Sequence, residues 1–529
     1  MQLRPCNNSP SFYSAPENEK SPKAMNSAPV YSPRLLPLRL PRVCVAVIGS
    51  EPNELADKAE TLARDNSFLE FRLDYLSKPA LALARVKRFT ESHPGTIIIA
   101  TCRRVAAGGK FRGSIASQLD ILGKATAAGC QLVDLELQTA SKCKPDQLKK
   151  LRSKAGLILS FHDFRATRKL DETLERMLAY PADFYKLVST ATTLSDNVSM
   201  IKFLARQGDR HSLVGMCMGE QGIISRVLGL RASSVFTFAS ATAGEETAPG
   251  QVTAQELRNV YRVETLDPAT RVYGVAGDPI AHSLSPAIMN AAFRRENVNA
   301  VYLALHAKTL KDLLNCVREI PIYGMSVTMP YKEAILPYLD NTDSHTTKIG
   351  ACNTVVRAQD GKLYGFNTDA AGIVRPLERR LSTLEGARIL VLGAGGAARA
   401  AVFGLKERGS EVYILNRSAG PAKKLAHQAH ARIMKRPDLK KLAFDVIINA
   451  TPVGMGNTRD TPLNEKEINA RYVFDMIYDP AETRLLKLAK ERGAQIIPGI
   501  EMFVHQAARQ FEIWTGKPAP WDEMLRVVL

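Results

Sequence analysis

Gly156-Leu-Ile-Leu-Ser-Phe161 and Phe184-Tyr-Lys-Leu-Val188 are two apolar runs short enough to be buried strands. His162 follows the first and Lys186 sits inside the second. Arg168, Lys169, Asp171, Glu172, Glu175 and Arg176 lie between them and suggest a helix with a charged face. Strand, helix, strand is a βαβ unit, so the strands are expected to be parallel neighbours. An imidazole and an amine then stand at adjacent strand ends. A lysine in apolar surroundings gives up its proton readily and can attack a ketone to form an imine. An imidazole beside it can move protons near neutral pH. Each residue alone also reads as ordinary structure, a capped strand end for His162 and a snorkelling stem for Lys186. The rest of the chain decides between these readings.

The alternation continues on both sides. From Cys44 to about Ser240, strand candidates begin near Cys44, Phe68, Thr96, Leu132, Leu157, Phe184, Leu213 and Val235. Repeats of this kind over roughly 200 residues predict a (β/α)8 barrel at the small end of its size range. An open doubly wound sheet fits the same periodicity. A barrel carries its active site at the carboxyl ends of its strands, and polar residues gather there. Glu70, Arg72 and Asp74 alternate on the second strand and so point one way. Arg103 ends the third strand, Asp134 and Glu136 share a face of the fourth, and His162 and Lys186 end the fifth and sixth. Gly219 to Arg226 follows the seventh, and Thr247-Ala-Pro-Gly-Gln251 the eighth. Inward charges are too costly for a dry core unless paired or functional. A ring of them argues for a site with bound anion and water.

On Glu70-Phe-Arg72, Ser160-Phe-His-Asp-Phe164, Lys186, Met218-Gly-x-x-Gly-x-x-Ser-Arg226 and Ala248-Pro-Gly-Gln251, the segment from Cys44 to about Glu264 resembles the type I 3-dehydroquinate dehydratases. The resemblance implies that Lys186 forms an imine with the substrate ketone. His162 would take the proton of the acidified carbon and later protonate the departing hydroxyl. Arg226 would hold the substrate carboxylate through a bidentate pair, with Glu70, Arg72, Arg103, Thr247 and Gln251 on hydroxyls and loop ends. Two positions depart from the family pattern. Ala107 stands where a glutamate usually precedes the paired glycines Gly108-Gly109, and Thr247 replaces a serine but keeps its hydroxyl.

Val252 to Arg271 reads as a short junction. Beyond it, Gly277-Asp-Pro-Ile-Ala-His-Ser-Leu-Ser-Pro286 is a loop with Pro286 at a helix start. Ser283 and Ser285 there serve as helix caps as readily as ligands. Gly324-Met-Ser-Val-Thr-Met-Pro-Tyr-Lys332 is a strand turning into a helix. Gly350 to Asp369 reads as a hairpin with a tight Asp360-Gly361 turn, and Asn353 and Asp369 lie near its open end.

Arg388-Ile-Leu-Val-Leu-Gly393 is a buried strand running into Gly393-Ala394-Gly395-Gly396-Ala397-Ala398 and a helix. This is Gly-x-Gly-x-x-Ala in its strand–turn–helix context, where glycines admit a pyrophosphate onto helix amides. An NAD enzyme would place an acidic residue roughly 20 positions on. Here the chain has Asn416, Arg417 and Ser418. An arginine pairs with a 2′-phosphate, so NADP is favoured over NAD, against an ordinary surface Arg417. A second basic residue often found shortly after this arginine is replaced by Pro421, with Lys423 and Lys424 nearby.

The segment from Val272 to Leu529 resembles shikimate dehydrogenase, with further matches at Asn449-Ala-Thr451-Pro-Val-Gly-Met455, Asp475-Met476-Ile-Tyr478-Asp-Pro480 and Gly499-Ile-Glu-Met-Phe-Val-His-Gln506. The resemblance implies that Ser283, Ser285, Thr328, Asn353, Tyr478 and Gln506 hold substrate. Lys332 and Asp369 would form the catalytic pair, and Thr451, Met476 and Gly499 would join the NADP site. Ser326 stands where the family usually has asparagine.

The whole chain, 529 residues long, has room for about two to four domains. The expected division is a disordered extension over 1–42, the barrel over 43–264, a substrate lobe over 265–372 completed by 500–529, and a Rossmann domain over 373–499. The extension is rich in Ser, Pro and Asn and lacks an apolar h-region, which excludes a secretory signal. A transit peptide or an over-long start before Met25 fits it, and the location expected is cytoplasmic, or plastid for a transit peptide.

No run approaches the roughly 18 apolar residues of a membrane helix, so no membrane is expected. The net charge of +18 raises nucleic acid, but no basic stripe with interleaved aromatics and no nucleic-acid module is present. The eight cysteines are scattered without a Cys-x-x-Cys pair, so reduced thiols and no metal site are expected. His427 and His430 could share a helix face, but are read as surface polar residues.

The two families catalyse consecutive steps, so the reading is a bifunctional enzyme with 3-dehydroquinate, 3-dehydroshikimate and shikimate as its small-molecule partners. Its oligomeric state stays open. A ligand-binding regulator on the same domains is opposed by the retention of Lys186, His162, Lys332 and Asp369. A quinate dehydrogenase is opposed by Arg417 and the paired serines.

Overall fold

The computed structural model describes residues 39–280, 283–456 and 459–529. The disorder and transit-peptide readings of the extension fall mainly on 1–38, outside the described residues. The chain forms two compact units. One takes the described residues up to Arg271 together with Leu303–Pro321; the other takes Val272–Tyr302 and Ile322–Leu529.

The first unit is built on β1 (Val43–Val47), β2 (Phe68–Arg72), β3 (Ile97–Thr101), β4 (Leu132–Glu136), β5 (Gly156–His162), β6 (Phe184–Thr190), β7 (Leu213–Met218) and β8 (Thr237–Ser240). They make an eight-stranded parallel sheet in the order β7-β6-β5-β4-β3-β2-β1-β8. Val235 N–H donates to Leu213 O at 2.8 Å, bringing the chain entering β8 back against β7. Strands this apolar suit a sheet covered on both faces. β8 begins two residues later than the run at Val235, because the ladder with β1 starts at Thr237 opposite Val43.

Phe68, Phe184 and Phe236 pack edge to face at 5.0 and 6.0 Å inside the amino-terminal end. Two residues further along their strands, Glu70 and Lys186 occupy the next inward positions. Lys186 therefore sits inside β6, two residues from its start, and not at its end. The charged helix between β5 and β6 is Leu170–Leu178; Arg168 and Lys169 precede it, with Lys169 at φ 51°.

Leu303–Pro321 joins this unit through a helix cap. The Asp312 carboxylate accepts from the backbone N–H groups of Leu194 and Ser195 at 2.7 and 3.1 Å and from the Ser195 hydroxyl at 2.6 Å. These donors open the helix Leu194–Gln207, whose first amides have no partner inside the helix.

Two further sheets follow along the chain. One contains β9 (Arg271–Gly277), β10 (Ala300–His306), β11 (Ile322–Val327), β12 (Asn341–Thr342), β13 (Thr354–Arg357) and β14 (Leu363–Phe366), in the order β10-β9-β11-β13-β14-β12. β13 and β14 are the expected antiparallel hairpin, turned at Asp360-Gly361 with Gly361 at φ +84°. The helix Gly499–Thr515 packs on this sheet, where Trp514 Nε1 donates to Val355 O at 3.0 Å.

The other sheet is parallel, with β15 (Arg388–Leu392), β16 (Glu411–Leu415), β17 (Arg432–Ile433), β18 (Phe444–Asn449), β19 (Ala470–Asp475) and β20 (Gln495–Ile497) in the order β17-β16-β15-β18-β19-β20. Gly393 leaves β15 at φ +115°, and the helix Gly396–Lys406 follows. His430 does not share a helix face with His427: the helix ends at Ala429 and His430 caps it in the left-handed region at φ 51°. Among the described residues no helix is long and apolar enough to cross a membrane.

Candidate functional sites

In the barrel Lys186, Glu70, Asp134, Arg103 and His162 form one connected cluster. Lys186 is 4% exposed. Its Nζ lies 3.2 Å from Asp134 Oδ2, 3.8 Å from Glu70 Oε1 and 3.6 Å from the centre of the Phe238 ring. Burial lowers the pKa of this amine, with Asp134 and Glu70 opposing the shift. Asp134 is the hub, accepting also from Arg103 Nη2 at 2.9 Å and Ser160 Oγ at 2.7 Å. Burial alone would raise its pKa; Arg103 and Lys186 outweigh that and hold it well below the usual carboxylate range.

Arg103 Nη1 lies 2.9 Å from His162 Nε2. A guanidinium only donates, so Nε2 accepts and the ring proton is assigned to Nδ1. Nδ1 is buried without a hydrogen-bond partner. Burial, then Arg103 and Lys186, push the His162 pKa well below its ordinary value. The Phe164 ring stacks on the imidazole at 5.9 Å, and Gly108 leaves room for it, since a Cβ there would come within 2.1 Å of Phe164 Cζ. Ala107 is buried in the turn before Gly108 and brings no carboxylate to this loop.

Surrounding residues hold the loops. Glu136 accepts from Arg104 N and Gln118 Nε2, both at 2.7 Å. Arg72 makes a two-point pair with Asp74, which also accepts from Lys110 N at 3.1 Å. Gln251 Oε1 accepts from the Thr247 backbone N–H at 2.7 Å and hydroxyl at 3.1 Å. Arg226 is 2% exposed. Its contacts are Met216 Sδ and Pro249 O, each at 3.5 Å, with Nε unpartnered and no carboxylate paired among the described residues. A buried guanidinium in that condition suits an incoming anion. Ser160 and Phe238 were not singled out from sequence, and Asp134 was seen only as one of the ring. Its place in the middle of the apolar run Leu132-Val-Asp-Leu-Glu136 was the available signal.

In the second unit Lys332 Nζ and the Asp369 carboxylate are in direct contact. Asn353 Nδ2 donates to Asp369 Oδ1 at 2.7 Å and to Thr368 Oγ1 at 3.0 Å. Gln510 holds Asn353 from behind, donating to its carbonyl at 3.1 Å, and accepts from Ser326 Oγ at 2.7 Å. Ser326 thus fills the expected asparagine position as part of a buried network that reaches the Tyr302 hydroxyl at 2.6 Å. Gln510, four residues after Gln506 on the same helix, was missed from sequence.

Ser283 Oγ accepts from Ser285 N at 3.3 Å. Thr328 N–H donates to Ala276 O at 2.9 Å, and Tyr478 packs on Phe503 at 4.9 Å with the rings tilted by 33°. Gln506 Nε2 donates to Phe503 O at 3.1 Å.

At the Gly393–Ala397 turn no atom lies within 4 Å of where a Cβ on Gly395 would stand, so the backbone is open to close approach. A Cβ on Gly396 would lie 3.8 Å from Lys332 Cδ, which brings this turn against the Lys332–Asp369 pair. Thr451 donates to Asn449 Oδ1 through its N–H and hydroxyl at 3.0 and 2.7 Å. Gly499 packs against Met476 and Ile477, where a Cβ would come within 2.7 Å of Met476 C. Asn416 donates to Ser418 O at 2.9 Å. Arg417 is exposed, with no hydrogen bond or ion pair among the described residues.

A barrel with a buried lysine at its centre and a nucleotide-binding sheet beside an ammonium–carboxylate pair define a two-enzyme chain, a lyase followed by a dehydrogenase. Family models match accordingly. Type I 3-dehydroquinase covers 43–268, the shikimate dehydrogenase substrate binding domain 275–355, shikimate/quinate 5-dehydrogenase 376–468, and the shikimate 5′-dehydrogenase C-terminal domain 499–529. The chloroplastic bifunctional 3-dehydroquinate dehydratase/shikimate dehydrogenase of Arabidopsis thaliana is 34% identical over 90% of this chain and 82% of its own length. The NADP(+) shikimate dehydrogenase of Nitrosopumilus maritimus is 40% identical over 49% of this chain and 98% of its own. A solved Thermus thermophilus shikimate 5-dehydrogenase, in complex with NADP(H) and shikimate, is 34% identical over 49% of this chain and 98% of that one, with a TM-score of 0.46. The chain belongs to the bifunctional 3-dehydroquinate dehydratase/shikimate dehydrogenase family.

Proposed function

We propose that the barrel dehydrates 3-dehydroquinate through an imine on Lys186, and that the second unit reduces the resulting 3-dehydroshikimate to shikimate with NADPH. The observation that carries this reading is the buried, pKa-lowered Lys186 amine, joined through Asp134 and Arg103 to His162. A neutral amine can add to the substrate ketone and release water to form the imine. Taking up one proton from solvent on its nitrogen, beside the Asp134 and Glu70 carboxylates, the imine becomes cationic and acidifies the adjacent carbon. His162 Nε2, free to accept once Arg103 turns to substrate, takes that proton and returns it to the departing hydroxyl, which leaves as water. A second water then hydrolyses the imine. Arg226 holds the substrate carboxylate, and Glu70, Arg72, Thr247 and Gln251 hold hydroxyls and loops.

In the reductase, NADPH supplies hydride when bound. Lys332 delivers the proton to the carbonyl oxygen, and Asp369, steadied by Asn353, holds and aims that ammonium. Ser283, Ser285, Thr328, Tyr478 and Gln506 hold the substrate's polar groups. The open Gly393–Ala397 turn, the helix amides from Gly396 and the unpaired Arg417 fit the pyrophosphate and the 2′-phosphate. Asn416, Ser418, Thr451, Met476 and Gly499 complete that site.

The division proposed is 43–264, 265–372 with 500–529, and 373–499. The partners proposed are the three small molecules, with neither nucleic acid nor membrane. The location proposed is cytoplasmic, or plastid where residues 1–42 act as a transit peptide.

One coupled assay tests the whole reading. Given 3-dehydroquinate and NADPH, the protein should consume NADPH and form shikimate. Accumulation of 3-dehydroshikimate would remove the reductase assignment, and no dehydration would remove the barrel assignment.

A further inference from the structure

The helix Gly499–Thr515 carries Gln506 toward the Asp369 region: a Cβ on Gly372 would lie 3.1 Å from Gln506 Cβ. The neighbouring His505 lines a cavity of about 370 Å³ whose walls also include Arg375, Glu378 and Arg379 from the end of the Asp369–Glu378 helix, Glu512, and Trp521. That volume lies within the range of small-molecule sites. None of the residues assigned to catalysis or to NADP lines it.

Its charges are unbalanced. Glu378 is paired with Arg408 at 2.9 Å and Glu512 with Arg509 at 3.0 Å. Arg380, behind the cavity, is paired with Glu501 at 2.7 Å. Arg375 and Arg379 have no acidic partner among the described residues, so the cavity retains two uncompensated guanidiniums. His505 is 2% exposed, and its Nε2 is buried with no hydrogen-bond partner. A buried polar atom left unpaired is costly. Burial and then Arg379, Arg375 and Arg380 hold its pKa down to about 4, so the ring is neutral and offers one hydrogen bond. The imidazole packs on Trp521 at 4.0 Å with the rings tilted by 32°, and the Arg379 guanidinium lies over the same indole at 5.1 Å. The cavity therefore has a flat aromatic wall, two cationic forks and one unspent polar atom.

We propose that this cavity binds a small planar carboxylate, with Arg375 and Arg379 on the carboxylate, Trp521 and His505 against the ring, and His505 Nε2 on a ligand oxygen. Fork-shaped guanidiniums match a carboxylate, and the indole favours a conjugated body over a saturated one.

Sodium benzoate is the probe, titrated by calorimetry into the full-length protein with shikimate and NADP present to fill the reductase site. Saturable one-site binding is expected. Arg375→Ala and Arg379→Ala, both in an accessible helix end, should each weaken it by about tenfold, the loss of a charged hydrogen bond. Cyclohexanecarboxylate should bind about fivefold more weakly, and inorganic phosphate more weakly than benzoate. The proposal is overturned if benzoate does not saturate, if it binds only when shikimate and NADP are left out, or if the two arginine variants bind it as the parent does. Phosphate or the saturated acid binding as tightly as benzoate would equally overturn the ligand class.

Discussion

Lys186 and Lys332 solve opposite problems with the same side chain. Lys186 is locked inside the barrel at 4% exposure, where burial lowers its pKa although two carboxylates oppose the shift. Lys332 lies near the surface, its side chain 20% exposed and bound to one carboxylate, Asp369. A nucleophile must be neutral at the moment of attack, and removal from water favours that form. A proton donor must be aimed at the oxygen it serves, and a contact carboxylate fixes an ammonium in place. The barrel achieves the first by surrounding an amine with strand residues, in the register Ser160 opposite Lys186 and Thr101 opposite Asp134. The dehydrogenase achieves the second at the meeting of a hairpin, a helix start and a glycine turn.

Four substitutions break or sharpen that contrast. Lys186→Ala should lower dehydratase kcat by on the order of 10⁴-fold, as loss of a covalent nucleophile does, while reduction of added 3-dehydroshikimate continues. Borohydride with substrate should trap an adduct at Lys186 in the parent protein; an adduct at another lysine would end the assignment. Lys332→Ala is the mirror experiment. It should cost the reductase about 10²- to 10³-fold in kcat, within the range for general acids, and leave dehydration untouched. If both activities fall together in either variant, the two lysines do not serve separate sites.

Arg417→Asp acts on the cofactor alone. It should shift the ratio of kcat/KM for NADPH over NADH towards NADH by about tenfold or more, through repulsion of the 2′-phosphate. An unchanged ratio would make Arg417 an ordinary surface residue.

Ala107→Glu has the smallest expected effect and addresses one of the barrel's two departures from the family pattern. His162 keeps an unpartnered Nδ1–H, and its pKa is depressed by burial and then by Arg103, Lys186 and Arg72. As a base it works above its pKa, so the acid limb of the dehydratase pH profile should lie below its ordinary value of 6.5. A carboxylate within about 4–6 Å favours the charged ring, so that limb should move upward in pH, with kcat rising by about two- to fivefold. A slower enzyme with an unmoved limb would mean that the loop has repacked around Ala107.

Much of this was legible in the chain because it is written locally. Alternation of inward residues brought out Glu70, Arg72 and Asp134, a lysine inside an apolar run brought out Lys186, and the glycine motif after Leu392 brought out the turn between a strand and a helix. Features made by distant partners were not legible. Nothing in the fourth strand says that Asp134 gathers Arg103, Ser160 and Lys186, because those contacts span 26 to 52 residues. Arg103 was expected on substrate, and its hydrogen bond to His162 becomes visible only once two loops converge. The start of β8 was set by its ladder to β1 and not by its own hydropathy. Gln510 escaped notice because helical spacing from Gln506 does not reveal which face meets Asn353.

The Asp312 cap bears on anyone wishing to express the dehydratase by itself. A gene fragment stopped where the barrel's last strand and junction end, at Arg271, would omit a carboxylate that serves the first turn of the helix Leu194–Gln207. Loss of a helix cap costs about 1 kcal/mol. Such a fragment would keep every dehydratase residue and still melt early. The economical cut for making half of this protein lies some way past the point where its first catalytic centre is complete.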